Sequence, residues 1–126
     1  MNYGIISMKD ILLVDDEAQF LESLADGLKS ICGRHCNIIT AQNGRKAIEM
    51  LRNVQVDVVV TDLNMPVMNG FELIGYLKQH HPSISVIVMT AITTVDSESM
   101  AHDHTVKYVA EKPIDLKDIA DRILAA

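Results

Sequence analysis

Apolar residues in this chain fall in two alternating patterns. Ile11-Leu12-Leu13-Val14, Val58-Val59-Val60 and Val86-Ile87-Val88-Met89 are short, wholly apolar runs, and Cys36 to Ala41 and Val106 to Ala110 read as two further strands. Between them apolar positions recur at helical spacing. One set is Leu21, Leu24, Ala25, Leu28 and Ile31, and a second is Ala47, Ile48 and Leu51 after a turn at Asn43-Gly44. A third is Phe71, Ile74 and Leu77. The last is Leu116, Ile119, Ala120, Ile123 and Leu124, with Asp115 placed to cap it. A strand that is apolar throughout is buried on both faces, so helices must cover it, and the alternation predicts a parallel sheet of βα units.

Five such units fit an α/β, flavodoxin-like (βα)5 fold: a five-stranded parallel sheet with helices on both faces. The fourth helical segment, Thr93 to His104, is rich in Thr, Ser and Asp with little apolar stripe, and is expected to be short or mobile. Ligands of doubly wound sheets bind beyond the carboxyl ends of the strands. There the first strand is followed by Asp15 and Asp16, the third ends in Asp62, the fourth ends in Thr90 and the fifth is followed by Lys112-Pro113. Taken singly, each has an ordinary explanation: a helix cap, a turn residue, a strand-end hydroxyl, a solvated charge. Their gathering at one rim points to chemistry. Crowded carboxylates raise one another's pKa, and a divalent cation relieves the conflict. An all-oxygen site with few protein ligands suits Mg²⁺, which also shares phosphate oxygens. One carboxylate can then attack phosphorus while a lysine and a threonine hold the remaining phosphoryl oxygens. Asp62 is the best-placed nucleophile, because the third strand delivers it to the centre of the rim.

Composition narrows the alternatives. The length of 126 residues suits one domain, and 48% hydrophobic content allows one filled core. With aromatics at only 4%, that core is aliphatic. A net charge of −6 argues against a nucleic-acid surface. Cys32 and Cys36 match neither a CxxC redox pair nor a zinc site, and read as reduced thiols of a cytoplasmic protein. The first eight residues lack the basic start and long apolar run of a signal peptide, and no apolar stretch is long enough for a membrane span.

The strings Ile11-Leu12-Leu13-Val14-Asp15-Asp16-Glu17, Val60-Thr61-Asp62-Leu63-Asn64-Met65-Pro66 with Asn69-Gly70, Met89-Thr90-Ala91 and Lys112-Pro113 resemble the receiver domains of bacterial two-component response regulators, chemotaxis regulators among them. The resemblance spans residues 9–126, leaving 1–8 as an N-terminal extension or a cloning remnant. It implies a phosphorylation switch rather than a turnover enzyme. Asp62 would accept the phosphoryl group from a phosphohistidine of a sensor histidine kinase or histidine phosphotransfer protein. Mg²⁺ would be held by Asp16, Asp62 and the backbone carbonyl of Asn64, with Asp15 acting through water. Lys112 would pair with Asp62 or the phosphoryl group, Thr90 would move toward that group, and the Lys112-Pro113 bond would be cis. A downstream protein or output domain, and a homodimer formed on phosphorylation, are the implied partners; direct nucleic-acid or membrane binding by this domain is not.

Two features depart from the family pattern. The place usually held by a switch aromatic is Val109, with Tyr108 one position earlier, and a one-residue step reverses the side-chain face. Tyr108 is therefore not expected to swing inward behind Thr90. His102-Asp103-His104-Thr105 replaces the usual Gly-Ala pair, and its histidines read as solvated rather than metal ligands. Asn64 and Ile92 flank the path of an attacking water, and apolar Ile92 cannot orient it, so self-dephosphorylation is expected to be slow. Two rival functions remain open on sequence. One is a phosphatase of the haloacid dehalogenase type, disfavoured because Asn64 stands where that family has its acid. The other is a docking module that is never phosphorylated, disfavoured because the acidic set and the lysine are all retained.

Overall fold

The computed structural model describes residues 8–91, 99 and 103–126. Five strands, β1 (Lys9–Val14), β2 (Cys36–Ala41), β3 (Val58–Asp62), β4 (Ser85–Thr90) and β5 (Val106–Glu111), form one parallel sheet in the order β2-β1-β3-β4-β5. The described helices are α1 (Ala18–Cys32), α2 (Gly44–Leu51), α3 (Gly70–His80) and α4 (Leu116–Ala125). The flavodoxin-like architecture expected from the alternation is present. The weak helix expected over 93–104 lies almost wholly outside the described residues.

The sheet divides two aliphatic cores. On one side Leu12, Val14, Val59, Val86 and Val88 meet α2 and α3 through Ala47, Ile48, Leu51, Leu73, Ile74 and Leu77. On the other, Ile11, Leu13, Val58, Val60, Ile87 and Met89 meet α1 and α4 through Leu21, Leu24, Leu28, Ile119 and Ile123. Alternate residues of one strand enter opposite cores, which is why the central strands are apolar without interruption. Three helices start on side-chain caps. Asn43 accepts from the Lys46 N–H, Asp115 from the Asp118 N–H, and Asn69 forms a reciprocal capping box with Glu72. Each cap contributes about 1 kcal/mol.

Three stripe assignments need correction, one of them Leu124, which is 40% exposed at the end of α4 while Ile119, Ala120 and Ile123 form the buried face. Ile31 is 49% exposed and Phe71 38% exposed, while Cys32 and Leu73 take the buried places. The α1 stripe runs Leu21, Leu24, Ala25, Leu28, Cys32, so the last step is four residues and passes over Ile31. In α3 the stripe begins one residue earlier, at Gly70. Both cysteines are free and buried, and burial beside the Cys32 thiol pushes Cys36 up to about 12, away from thiolate reactivity.

Strand β5 is irregular. Val86 pairs with Val106 but Ile87 pairs with Tyr108, so Lys107 is an extra residue in β5. The bulge reverses the phase of the strand. Val106 packs on the α2/α3 core, whereas Tyr108 and Ala110 pack on the α1/α4 core and Val109 returns to α2/α3.

Candidate phosphoryl-transfer site

Strand register brings the acidic residues together. Val14 of β1 is level with Thr61 of β3, so Asp15 and Asp62 leave adjacent strands at the same height. Continuing the alternation, Asp15, Asp62 and Lys112 fall in phase with residues of the α1/α4 core. Asp15 is fully buried and Asp62 is 6% exposed, while Asp16 is exposed at the mouth. An oxygen from each of Asp15, Asp16 and Asp62 lies within 4.8 Å of the other two.

Lys112 closes the inner side of this corner. Its Nζ donates to Asp15 Oδ2 at 2.9 Å and to Asp62 Oδ2 at 3.2 Å, with Glu17 Oε1 at 3.9 Å. The second oxygens are held by the backbone: Glu17 N–H donates to Asp15 Oδ1 (2.9 Å) and Asn64 N–H to Asp62 Oδ1 (3.3 Å). Burial raises the Asp15 pKa from its ordinary value, against the opposing pull of the Glu17 N–H and of Lys112. Burial alone would lower the Lys112 pKa, but Asp15 and Asp62 together outweigh it and raise it, so the ammonium stays charged. One ammonium against three carboxylates leaves the corner net negative. The donor set is entirely hard oxygen, clustered and open on the Asp16 side, and is thus positioned to coordinate a divalent cation such as Mg²⁺.

Thr90, Asn64 and Lys112, expected from sequence to join the aspartates, lie at this rim as well. Thr90 ends β4 and is 1% exposed, and its carbonyl accepts from the Lys112 N–H at 2.8 Å, tying the lysine's backbone to the neighbouring strand. Asn64 sits exposed on the loop after β3, and Lys112-Pro113 is cis. Ile92 lies outside the described residues. Tyr108 faces the α1/α4 side, where its hydroxyl donates to Asp118 Oδ2 (2.8 Å) and the Arg122 guanidinium lies 4.1 Å from its ring centroid. Val109 instead packs among α2/α3 residues, level with Val88 of β4. Among the described loop residues, Asp103 pairs with Lys78 at 2.5 Å and His104 is exposed.

Three contributors have no role assigned from sequence, although Glu17 and Gly70 stand within the strings that carry the resemblance. The Lys112 ammonium lies 4.4 Å from the centroid of Phe20, in the first turn of α1. Glu17 adds a carboxylate near the same lysine; its place directly after the acidic pair was the available signal. Gly70, which opens α3, has no room for a side chain: a Cβ there would collide with the Asp62 carbonyl and lie 2.8 Å from Leu63 Cα. Its N–H closes the intervening loop onto Leu63 O at 2.9 Å. Within that loop Val67 adopts φ 73° and Met68 N–H donates to Pro66 O, a strained γ-turn for a β-branched residue.

Comparison with known proteins agrees with this geometry. The family described as "Response regulator receiver domain" matches residues 11–124. A response regulator receiver protein of Anaeromyxobacter sp. (strain Fw109-5) is 32% identical over 114 residues, covering 90% of this chain and 47% of that protein. The DNA-binding transcriptional regulator NtrC of Escherichia coli (strain K12) is 30% identical over 108 residues, covering 86% of this chain and 22% of that protein. The chain thus spans about half the length of the first of these relatives and under a quarter of the second. A response regulator receiver domain protein from Clostridium thermocellum superposes with a TM-score of 0.82 at 26% identity, covering 94% of this chain and 93% of that one. The chemotaxis response regulator CheY4 of Vibrio cholerae shares the fold, with a TM-score of 0.79 at 23% identity over 93% and 99% of the two chains. Among the described residues no helix is long and apolar enough to cross a membrane. Sequence match, fold and acidic corner converge, and the chain belongs to the response regulator receiver family as a phosphoacceptor domain of two-component signalling.

Proposed function

We propose that Asp62 is the phosphoacceptor and that Asp15, Asp16, Thr90, Lys112 and the backbone of Asn64 serve its modification. The observation that supports this best is the double contact of Lys112 with the buried carboxylates of Asp15 and Asp62, beside the exposed Asp16. Family membership implies exchange with a histidine kinase or phosphotransfer protein, and the donor is read as its phosphohistidine. A carboxylate oxygen of Asp62 attacks phosphorus; the new O–P bond forms as the N–P bond breaks, and the donor imidazole leaves. Asp16, Asp62 and the Asn64 carbonyl would hold Mg²⁺, with Asp15 behind them through water. The cation, when bound, offsets the charge that the carboxylates and the phosphoryl group bring to one place.

Lys112 is the group that can change partner. Its ammonium holds Asp62 in the unmodified protein and is within reach of a phosphoryl oxygen once Asp62 becomes an acyl phosphate. Thr90, at the end of the strand whose carbonyl fixes the Lys112 backbone, supplies a hydroxyl to the same group. The modified site then acts as a switch rather than as a turnover catalyst, and apolar Ile92 makes hydrolysis slow; a half-life of seconds would contradict that part of the reading. The domain is read as residues 9–126, in a cytoplasmic protein whose output rests with a further domain or a downstream partner.

Incubation with acetyl phosphate and Mg²⁺ tests the assignment. Acid-labile phosphate should appear on the wild type in proportion to protein and be absent from Asp62→Asn. Equal incorporation in both proteins would remove Asp62 from the role.

A further inference from the structure

We propose that Phe20 is a positioning residue for Lys112, acting through its aromatic face. This rests on the reading of Asp62 as phosphoacceptor and adds to it a residue of α1. Lys112 is a partly buried cation whose side chain is only 15% exposed. Among the described residues two groups accept from its ammonium at hydrogen-bond distance, Asp15 Oδ2 and Asp62 Oδ2. Glu17 Oε1, at 3.9 Å, is too distant to be a third. A further side of the ammonium faces a ring, with the Phe20 centroid at 4.4 Å. That distance lies within the range in which the negative face of an aromatic ring attracts a cation.

The placement has a mechanical reason. Phe20 is half-buried, packs against the α1/α4 core, and is thereby held by α1. Asp15 and Asp62 are held by strands β1 and β3. Lys112, on a flexible four-carbon stem, is the mobile member of the set. The ring adds a contact from outside the sheet, and that contact does not compete for the carboxylate oxygens. It is also indifferent to which oxygen the ammonium donates to. It can keep the lysine at the rim while its hydrogen bond passes from the Asp62 carboxylate to a phosphoryl oxygen. A leucine at position 20 would keep an apolar contact with the core but offer the cation no negative ring face.

Graded fluorination separates the two roles, because mono-, di- and trifluorinated phenylalanines at position 20 keep the shape of the ring while draining its negative face. Initial rates of acid-labile phosphate formation from acetyl phosphate at saturating Mg²⁺ should fall stepwise along that series. The most fluorinated protein and Phe20→Leu should be slower than wild type by about two- to five-fold, and Phe20→Tyr should retain the rate. In the unmodified wild type the Lys112 Hε protons should be shifted upfield by the ring, and the shift should vanish in Phe20→Leu. A flat fluorination series with a phosphorylatable wild type would overturn the inference and leave the role of Asp62 standing. A wild type that takes up no phosphate would overturn both. Loss of rate in Phe20→Leu without a stepwise fluorine effect would assign Phe20 to packing alone.

Discussion

The sheet has aspartates at both ends, and the two ends use them differently. At the amino end Asp57 Oδ2 accepts from the Asp10 N–H (2.8 Å), and Asp10 Oδ1 accepts from Asn37 Nδ2 (3.1 Å). These carboxylates are exposed or half-buried, their hydrogen bonds come from neutral amide donors, and they stitch neighbouring strands together. At the carboxyl end Asp15 and Asp62 are buried, share one ammonium, and have a third carboxylate within 4.8 Å. Acidic residues alone therefore do not mark the site. A buried carboxylate needs a cation or a proton to offset it, and Asp15, Asp62 and nearby Asp16 carry more negative charge than the one Lys112 ammonium can balance, which favours an added cation.

The largest contrast between the two ends should be chemical. Lys112→Met is expected to slow phosphoryl uptake from acetyl phosphate by about a hundred-fold or more, since it removes a charge aimed at the transferring group. Asp57→Asn should leave uptake unchanged. Comparable losses in both would erase the distinction between the two rims. Next in size is the thermal effect of Mg²⁺. Binding to the folded state alone stabilises by about 2.7 kcal/mol at a hundred-fold excess over Kd, read as a rise in Tm. The rise should disappear in Asp16→Asn and persist in Asp57→Asn.

A smaller effect concerns Asp15 without divalent ions. Burial raises its pKa, so the folded protein takes up this proton at a higher pH than the unfolded chain, whose value is near 3.8. Stability is then lost as pH rises from the unfolded pKa through the folded one, and the loss persists at neutral pH. Asp15→Asn should therefore be more stable than wild type at pH 7 in chemical denaturation, with the gain fading as the pH is lowered. A less stable Asp15→Asn at pH 7 would mean that attraction to Lys112 outweighs burial. Smallest is the strain in the loop after β3. Val67→Gly removes a positive φ from a β-branched residue and should raise stability by about 0.5–1 kcal/mol in the same measurement.

Much of the carboxyl rim was legible in sequence because it depends on local order. An apolar run followed by Asp15-Asp16, or by Asp62, places a carboxylate at a strand end whichever helices cover the sheet. What escaped depends on contacts between distant segments or on breaks in periodicity. Phe20 meets Lys112 only because β5 brings the lysine beside α1, and no spacing within α1 signals that. The extra residue at Lys107 reverses the phase of β5, a break that a strict two-residue alternation does not anticipate. The step between Tyr108 and Val109 still puts them on opposite faces, as alternation requires. Ile31, Phe71 and Leu124 are exposed although the pattern places them on stripes, because each lies beside a stripe at a helix end, where three- and four-residue steps fit equally well until packing selects one.

Gly70 gives the rim an unsuspected weak point. It carries no charge and would touch no phosphoryl group, yet a single added methyl would press on the Asp62 carbonyl and on Leu63. In a saturation scan scored only by signalling output, position 70 should therefore group with the acidic positions, intolerant even of alanine. The cause would be crowding of the backbone that carries Asp62. Such a scan can mistake a spacing requirement for chemistry, and only a stability measurement made beside it tells the two apart.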